Sequence, residues 1–583
     1  MRSPLAAALL LLLLGAPRAF GTSPVREVAT DERPRSGYRE ASGKVEVLKE
    51  GDLRVAVRAG MLKAPRGYTP LEVSLQNSGP VPLQVHLSFL GHYGNGSRVT
   101  ERTVEVGPRQ RVFAWLPVPE VLHAGNLAVN VPGLPPMVQA IYLDDARHEA
   151  VLTLGTKKSF EEDTGLREVE TEKEQEPHFA VRFLEEREAP RELSAYVGYP
   201  VVVVTEASAV PSDVWPVLEA YAATGGRLVL TRPSRDVVER LPLLREGDSV
   251  SETFYGFGHV RQCRQPADCA SKLVALFAEE PEVPVNPIGP PPRWEKGNAL
   301  EGGALPLLTS ARAPVGRFLL LIFAFALAVG PGGLMLARRK GPVAVLVAVP
   351  VVSVVTCLAL ITWSVLVDGF AVHAARYSLT WLDGARSRAV TLGVAAWYAN
   401  LSPEPVTFPA SSALMAPDSL DEALADLDWT SGLTVTRGFL PPRTYREWGE
   451  LAVQPSRARL VLRDTGTGLR VQNALGMPLE AGYVRWRGAH YQLTALEDGA
   501  EGELGAPMPK SEKFQPANAL LLELEGPLYE RLVKGKSAFR MDLPEGGFIA
   551  RVGGRGLTPT AAMDVELEAS VHLVRGQVEE GRP

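Results

Sequence analysis

Three cysteines, nine scattered histidines and no Gly-x-Cys-x-Gly turn in 583 residues leave little from which thiol catalysis or a metal centre is built. A tetrahedral metal site wants four nitrogen or sulfur ligands close together. No further Cys or His clusters near Cys263 and Cys269 to complete one. The chain also lacks a concentrated basic face: 61 Lys and Arg stand against 67 Asp and Glu, a formal charge of −6. That balance argues against a nucleic-acid partner, which needs clustered positive charge. Phosphate-cradling glycine loops are missing too. Gly256-Phe-Gly258-His-Val-Arg261 lacks the third glycine of a dinucleotide turn, and Gly91-His-Tyr-Gly94-Asn-Gly96 lies between strands, not before a helix. No cofactor is implied.

What is present in quantity is long hydrophobic runs. Phe318 to Leu336 and Val343 to Val367 carry no charge, and Ala337-Arg338-Arg339-Lys340-Gly341-Pro342 joins them. About 20 apolar residues of helix cross the hydrocarbon core of a bilayer, and only self-bonded backbone survives there. The reading is a transmembrane hairpin: helix 316–336, a cytoplasmic turn 337–342, and helix 343–367. Arg338, Arg339 and Lys340 set its topology, because a short basic loop stays on the cytoplasmic side. No ionisable residue interrupts either run, so the usual mark of an ion path or proton relay is missing.

Arg2, the apolar stretch Leu5 to Leu14 and the small residues Ala19 and Gly21 read as a signal peptide, residues 1–21. Its removal leaves everything before the first helix, and everything after the second, outside the cytoplasm. There Cys263 and Cys269, with five residues between them, are expected to form a small-loop disulfide.

Residues 22–44 read as a flexible, polar leader. Alternating strands such as Leu53 to Val57, Leu71 to Leu75, Val85 to Phe89 and Arg111 to Trp115 predict an Ig-like β-sandwich over 45–135. From Val138 the pattern changes. Phe179 to Leu184, Val201 to Thr205, a helix over Pro211 to Ala223, Gly225-Gly226, the strand Arg227 to Thr231 and a helix from Asp268 predict an α/β domain with a parallel sheet over 138–280. Ser208 or Ser212 is a candidate cap for the first of these helices, and Gly225 suits its end. The acidic run between Phe160 and Glu176 reads as a solvated surface.

Residues 281–314, rich in Pro and Gly, read as a tether. Beyond Asp368 the β pattern returns, giving an outer, mostly-β region over 370–583. One helix interrupts it, Ser419 to Leu427, behind the capping box Ser419-Leu-Asp-Glu422. Two turns echo each other: Leu71-Glu-Val-Ser-Leu-Gln-Asn77-Ser-Gly-Pro-Val-Pro-Leu83 and Leu469-Arg-Val-Gln-Asn473-Ala-Leu-Gly-Met-Pro-Leu479. In both, Asn tolerates the turn and Pro presets the exit.

Val201 to Thr205 with Leu218-Glu-Ala-Tyr-Ala-Ala-Thr-Gly-Gly-Arg-Leu-Val-Leu230 resembles the strand, helix, Gly-Gly, strand signature of bacterial envelope proteins that carry a class I glutamine amidotransferase-like domain. Gly330-Pro331 with Arg338-Arg339 looks like that family's hairpin, and Val471 to Leu496 like its late β segment. The resemblance implies a flavodoxin-like fold for 138–280. A working amidotransferase needs a cysteine on a sharp strand-to-helix turn, with a His to activate it and an acid to orient that His, and after the strand Leu228 to Thr231, where the turn is expected, this chain has Arg232-Pro233-Ser234. Ser234 lacks the flanking glycines of a serine elbow. No catalytic, cofactor or metal residue is therefore assigned.

The chain reads as a multi-domain protein of the cell (inner) membrane, in contact with lipid. Its outer domains bind or scaffold other envelope proteins without catalysis. The alternatives are an extracytoplasmic hydrolase or amidotransferase-like enzyme, in which Ser234 or Cys263 would react, and an accessory subunit of a transport complex, in which Gly330 to Gly333 would pack against other helices.

Overall fold

A computed structural model of the chain describes residues 37–41, 43–93, 96–144, 150–169, 177–233, 237, 252–277, 308, 315–367, 371–415, 425–466, 468–508, 514, 516–522, 543–558, 563, 565–568 and 570–581. The signal segment 1–21, most of the leader, Ser234, nearly all of the tether and the capping box at Ser419 lie outside the described residues.

The alternating pattern near the amino terminus does make strands. In Leu53–Arg58 the apolar residues Leu53, Val55 and Val57 are buried and Arg54 is exposed, as a sheet with one wet face requires. It joins Val45–Glu50, Tyr68–Asn77 and Arg111–Pro119 in a four-stranded antiparallel sheet. The facing sheet has eight strands, and three of them come from beyond the apolar helices. Its order is Val406–Phe408, Leu433–Arg437, Asp426–Asp428, Gly96–Val106, Leu83–Tyr93, Ala124–Asn130, Met137–Asp144 and Gly60–Leu62.

This corrects three boundaries. Met137–Asp144 closes the sandwich, pairing with Ala124–Asn130 and Gly60–Leu62, and does not open the α/β unit. The region after 370 is not a separate module, because Asp426–Asp428 pairs in parallel with Gly96–Val106. The helix expected over Ser419 to Leu427 does not reach its end, since Asp426 and Leu427 lie in that strand.

The α/β unit holds a seven-stranded sheet in the order Tyr38–Glu40, Phe179–Leu184, Ala150–Leu154, Val201–Val204, Arg227–Thr231, Gly258–Cys263, Glu252–Tyr255. All pairs are parallel except the last, between Glu252–Tyr255 and Gly258–Cys263. The four valines of Val201–Val204 are buried on both faces, as a covered parallel sheet demands. Helices Lys157–Thr164, Trp215–Ala223 and Pro266–Ala275 flank it. The second starts later than Pro211, with no side-chain cap from Ser208 or Ser212. Gly225 past its end has φ 110°, open to glycine alone at low cost. The leader is corrected as well: Tyr38–Glu40 is the sheet's edge strand. Tyr38 is fully buried and packs edge-on against Phe160, and its partner lies some 140 residues downstream, beyond the reach of local pattern.

Beyond the helices, Val372–Asp383, Arg388–Ala399 and Arg446–Pro455 form the middle of a nine-stranded sheet. A second four-stranded sheet, Glu501–Glu503, Leu469–Ala474, Arg459–Asp464 and Glu579–Glu580, stands beside it, and Leu460, Leu462, Val471, Val484, Phe548 and Val574 share one core cluster there. A single larger core runs through the first sandwich, one face of the α/β sheet and the nine-stranded sheet, from Leu53 through Leu152 to Trp397. Leu308, within the expected tether, is 1% exposed and belongs to that core, so the tether is docked near its end.

The two apolar runs form helices long enough to cross a membrane, Leu319–Lys340 and Pro342–Thr362. Leu320 is 70% and Leu346 77% exposed, the reverse of a soluble core helix. The first is interrupted at Ala328–Gly332 by one π turn that contains Pro331, a backbone defect typical of proline in a helix. Helix continues through Arg338, Arg339 and Lys340, so the expected turn contracts to Gly341 at φ 88°, with Pro342 opening the next helix. The second helix runs on to Val367.

Candidate functional site

In an open α/β sheet, ligands lie outside the carboxyl ends of the strands, where the strand order reverses. Here that place is between Ala150–Leu154 and Val201–Val204. Gly155 and Thr156 leave the first strand, and Thr156 caps helix Lys157–Thr164 in a capping box with Ser159. Ser159 Oγ lies 2.9 Å from Thr205 Oγ1 at the end of the second strand. At the end of the third, Thr231 Oγ1 donates to Asp163 Oδ2 at 2.6 Å. The same carboxylate holds Arg232, whose Nε lies 3.2 Å from Asp163 Oδ1.

Arg232 opens the turn that follows strand Arg227–Thr231. Its φ is 43°, a left-handed turn conformation that non-glycine residues rarely adopt. The side chain at this bend is a guanidinium and not a thiol or hydroxyl. The next strand ends in Cys263, which is bonded to Cys269 with the Cα atoms 5.2 Å apart. Both sulfurs are buried, which pins helix Pro266–Ala275 to the sheet. The expected disulfide forms, and it removes Cys263 from nucleophilic chemistry. Among the described residues, what this edge offers outward is a half-exposed cation and hydroxyls already bonded, Ser159 with Thr205 and Thr231 to Asp163.

A second polar cluster lies inside the nine-stranded sheet, and the sequence reading missed it. Ser378 and His572 are register partners, with Ser378 Oγ 2.7 Å from His572 Nδ1. Glu450 sits two strands away in the same row, across Gly393. Arg376 stacks over Trp397, 4.7 Å from the ring centre, and donates to Thr558 Oγ1 at 3.1 Å. All are nearly fully buried. Burial, then the charge of Arg376, holds the His572 imidazole down to about 4, so it is neutral near pH 7. Burial pushes the Glu450 carboxyl up, and Arg376 opposes the shift. Gly556, at φ 61°, lets the strap over this row approach His572, since a Cβ there would meet Cγ at 2.4 Å. The cluster is sealed, so its serine–histidine pair faces no cleft. The only hint in the sequence is the run of polar residues Arg376, Ser378 and Thr380 on one face of a strand.

A third cluster joins the α/β unit to the nine-stranded sheet. Glu219, on helix Trp215–Ala223, forms an ion pair with Arg386, and Arg388 Nη1 lies 3.8 Å away. Arg388 Nε also meets Asp383 Oδ2 at 3.0 Å, and Tyr255 Oη donates to that carboxylate at 3.2 Å. Burial lowers Arg388 to about 10 and raises Asp383. Among the described residues no group of three or more His, Cys, Asp or Glu side chains is placed to hold a metal ion. Arg338, Arg339 and Lys340 lie in the last turn of their helix, where cations complement the helix dipole.

No family model matches the chain, and no curated protein matches it. Among solved structures, one likeness is to the yeast delta-COP-I mu-homology domain in complex with a Dsl1 WxWxV peptide. It has 9% identity, 36% of this chain and 96% of that one covered, and a TM-score of 0.18. Another is to the exo-chitosanase CsxA of Amycolatopsis orientalis, at 9% identity, with 34% of this chain and 26% of that one covered, and a TM-score of 0.11. Likenesses this slight carry no inference about fold or function.

Proposed function

We propose that this chain is a two-pass protein of a bacterial cell membrane. On this reading its interlocked body stands on the outer side and binds or scaffolds other envelope proteins, without catalysis of its own. The observation that carries the reading is the pairing of Asp426–Asp428 with Gly96–Val106. Strands that share backbone hydrogen bonds lie on one side of any bilayer, because an open sheet cannot cross lipid. The chain between them must then cross an even number of times, and the two apolar helices supply two crossings.

Three observations support the placement and the role. Arg338, Arg339 and Lys340, in the last helical turn before the bend at Gly341, suit a cytoplasmic tip. The bonded pair Cys263 and Cys269 suits an oxidising compartment. The turn after strand Arg227–Thr231 opens on Arg232, paired with Asp163, where the resemblance to amidotransferase-like units would want a cysteine, and this favours binding over turnover.

The test is labelling of single cysteines, in a Cys357→Ser background, with a membrane-impermeant maleimide on intact cells. Val47→Cys and Glu503→Cys, both at exposed positions, are expected to react directly. Arg339→Cys is expected to react only after permeabilisation. A label at 47 with protection at 503, or direct labelling at 339, overturns the topology. Turnover of an amide or ester by the purified chain, lost in an Arg232→Ala variant, overturns the non-catalytic role.

A further inference from the structure

The body is held close to the bilayer on both sides of the hairpin. The second helix ends at Val367 and the nine-stranded sheet begins at Val372. Five chain steps span at most about 18 Å, at roughly 3.5 Å per residue. On the other flank the buried Leu308 precedes the helix start at Val315 by seven steps, at most about 25 Å. With tethers this short, the sheet end that contains Val372 is the end nearest the lipid.

The side chains at that end can be read from the register. Val372 pairs with Ala399, and His373 with Tyr398. Trp397 pairs with Arg446, so the same ladder carries Tyr398 toward Tyr445. The loops beyond are tied together by the Arg443 amide, which donates to Ala399 O at 2.7 Å. At their tips Leu401 is 55% exposed, and Pro442 and Arg443 are exposed, while Tyr398 and Tyr445 are half-buried just behind. A lone exposed leucine is ordinary on a protein surface. A leucine and an arginine at loop tips, backed by two tyrosines, at the end of a sheet tethered five residues from a membrane helix, is the composition of an interfacial belt.

We propose that this rim, formed by Tyr398, Leu401, Pro442, Arg443 and Tyr445, is a contact surface for phospholipid headgroups. Leu401 enters the boundary between headgroups and acyl chains, the tyrosine rings lie level with the headgroups, and Arg443 faces their phosphates. The contact fixes the tilt of the body on the membrane and so determines which of its faces is turned toward partners. This inference rests on the two-pass reading and adds an orientation to it.

The experiment uses the full chain with Cys357→Ser, reconstituted in phosphatidylcholine and phosphatidylglycerol vesicles. An environment-sensitive fluorophore is placed at Leu401→Cys, Leu346→Cys or Glu503→Cys, and doxyl-labelled lipid is added as quencher. Glu503 lies in the four-stranded sheet, which the chain enters from the far end of strand Arg446–Pro455. Insertion of about 5–10 Å, as for interfacial segments, predicts strong loss of emission at 346 and 401 and none at 503. Quenching at 346 with none at 401 overturns the rim contact and leaves the two-pass reading standing. No quenching at 346 overturns both.

Discussion

Asn77 and Asn473 perform the same task at two places almost 400 residues apart, and both are buried. The Asn77 carboxamide oxygen accepts the Gly79 amide at 2.9 Å, and its nitrogen reaches the carbonyls of Val81, Val106 and Gly107. Asn473 accepts from Leu475 at 3.0 Å and reaches the carbonyls of Met477, Leu496 and Glu497. Each side chain thus closes its own turn and ties it to the neighbouring loop, bonding the carbonyls of Val81 and Met477 in its own turn and adding a second donor to Gly107, Leu496 and Glu497, which also accept backbone amides. Asn77→Ala and Asn473→Ala are each expected to destabilise the body by about 1–3 kcal/mol, the cost of leaving buried polar groups unpaired. Replacement by Asp is expected to be no milder, because a carboxylate has no N–H to offer three carbonyls. Urea midpoints unchanged in the Ala variants would remove the turns from the stability argument. The echo between the two turns was legible in the sequence, because a turn is set by neighbours in the chain. The row Arg376, Ser378, Glu450 and His572 was not, because it needs four strands brought into register across 200 residues.

At the scale of elements, legibility follows the same division. Val201–Val204, Arg227–Thr231 and helix Pro266–Ala275 stand close to their predicted places, since an apolar run or an amphipathic face reports its own burial. Very short strands do not announce themselves. Tyr38–Glu40 and Asp426–Asp428 are three residues each, and what makes them strands is an open neighbour elsewhere.

The contact between the sandwich and the α/β unit yields a pH prediction of this kind. The short turn Glu186–Glu188 packs on strand Arg111–Pro119, with Trp115 Nε1 donating to Glu188 O at 3.0 Å. Burial, then the nearby carboxylates of Glu72 and Glu185, pushes the Glu188 carboxyl up to about 7, against the pull of Arg111. A carboxyl whose folded pKa lies above its unfolded one binds its proton more tightly in the native state. Its contribution therefore favours folding most at the acid end, falls as pH rises between the ordinary carboxyl value and about 7, and is level above that. Glu188→Gln is expected to flatten the fall in urea midpoint between pH 5 and pH 8 relative to the unsubstituted chain. Parallel profiles for the two proteins would show that Glu188 does not carry it.

Over the whole molecule, the hairpin is an insertion into a body that both flanks must build. Val406, Phe408, Leu427, Leu433 and Val435 come from after the helices and are buried in the core they share with the first sandwich. At about 1.5–3 kcal/mol per buried side chain they represent roughly 8–15 kcal/mol of apolar burial. That is as large as the whole net stability of a typical domain, about 5–15 kcal/mol. A fragment ending at residue 277 also leaves strand Gly96–Val106 as a long unpaired edge, a template for aggregation. The fragment 37–277 is therefore expected to be insoluble or to lack a cooperative thermal transition. A chain in which 309–370 is replaced by a flexible Gly/Ser linker of about 20 residues, with a mean span near 25 Å, is expected to be soluble and to unfold in one transition by circular dichroism. The two outcomes separate the roles of the parts. If the fragment folds as well as the linked chain, the strands after the helices decorate a finished sandwich, and the even number of crossings loses its physical reason. If only the linked chain folds, the membrane helices anchor the body without contributing to its fold, and the body assembles only where both flanks meet.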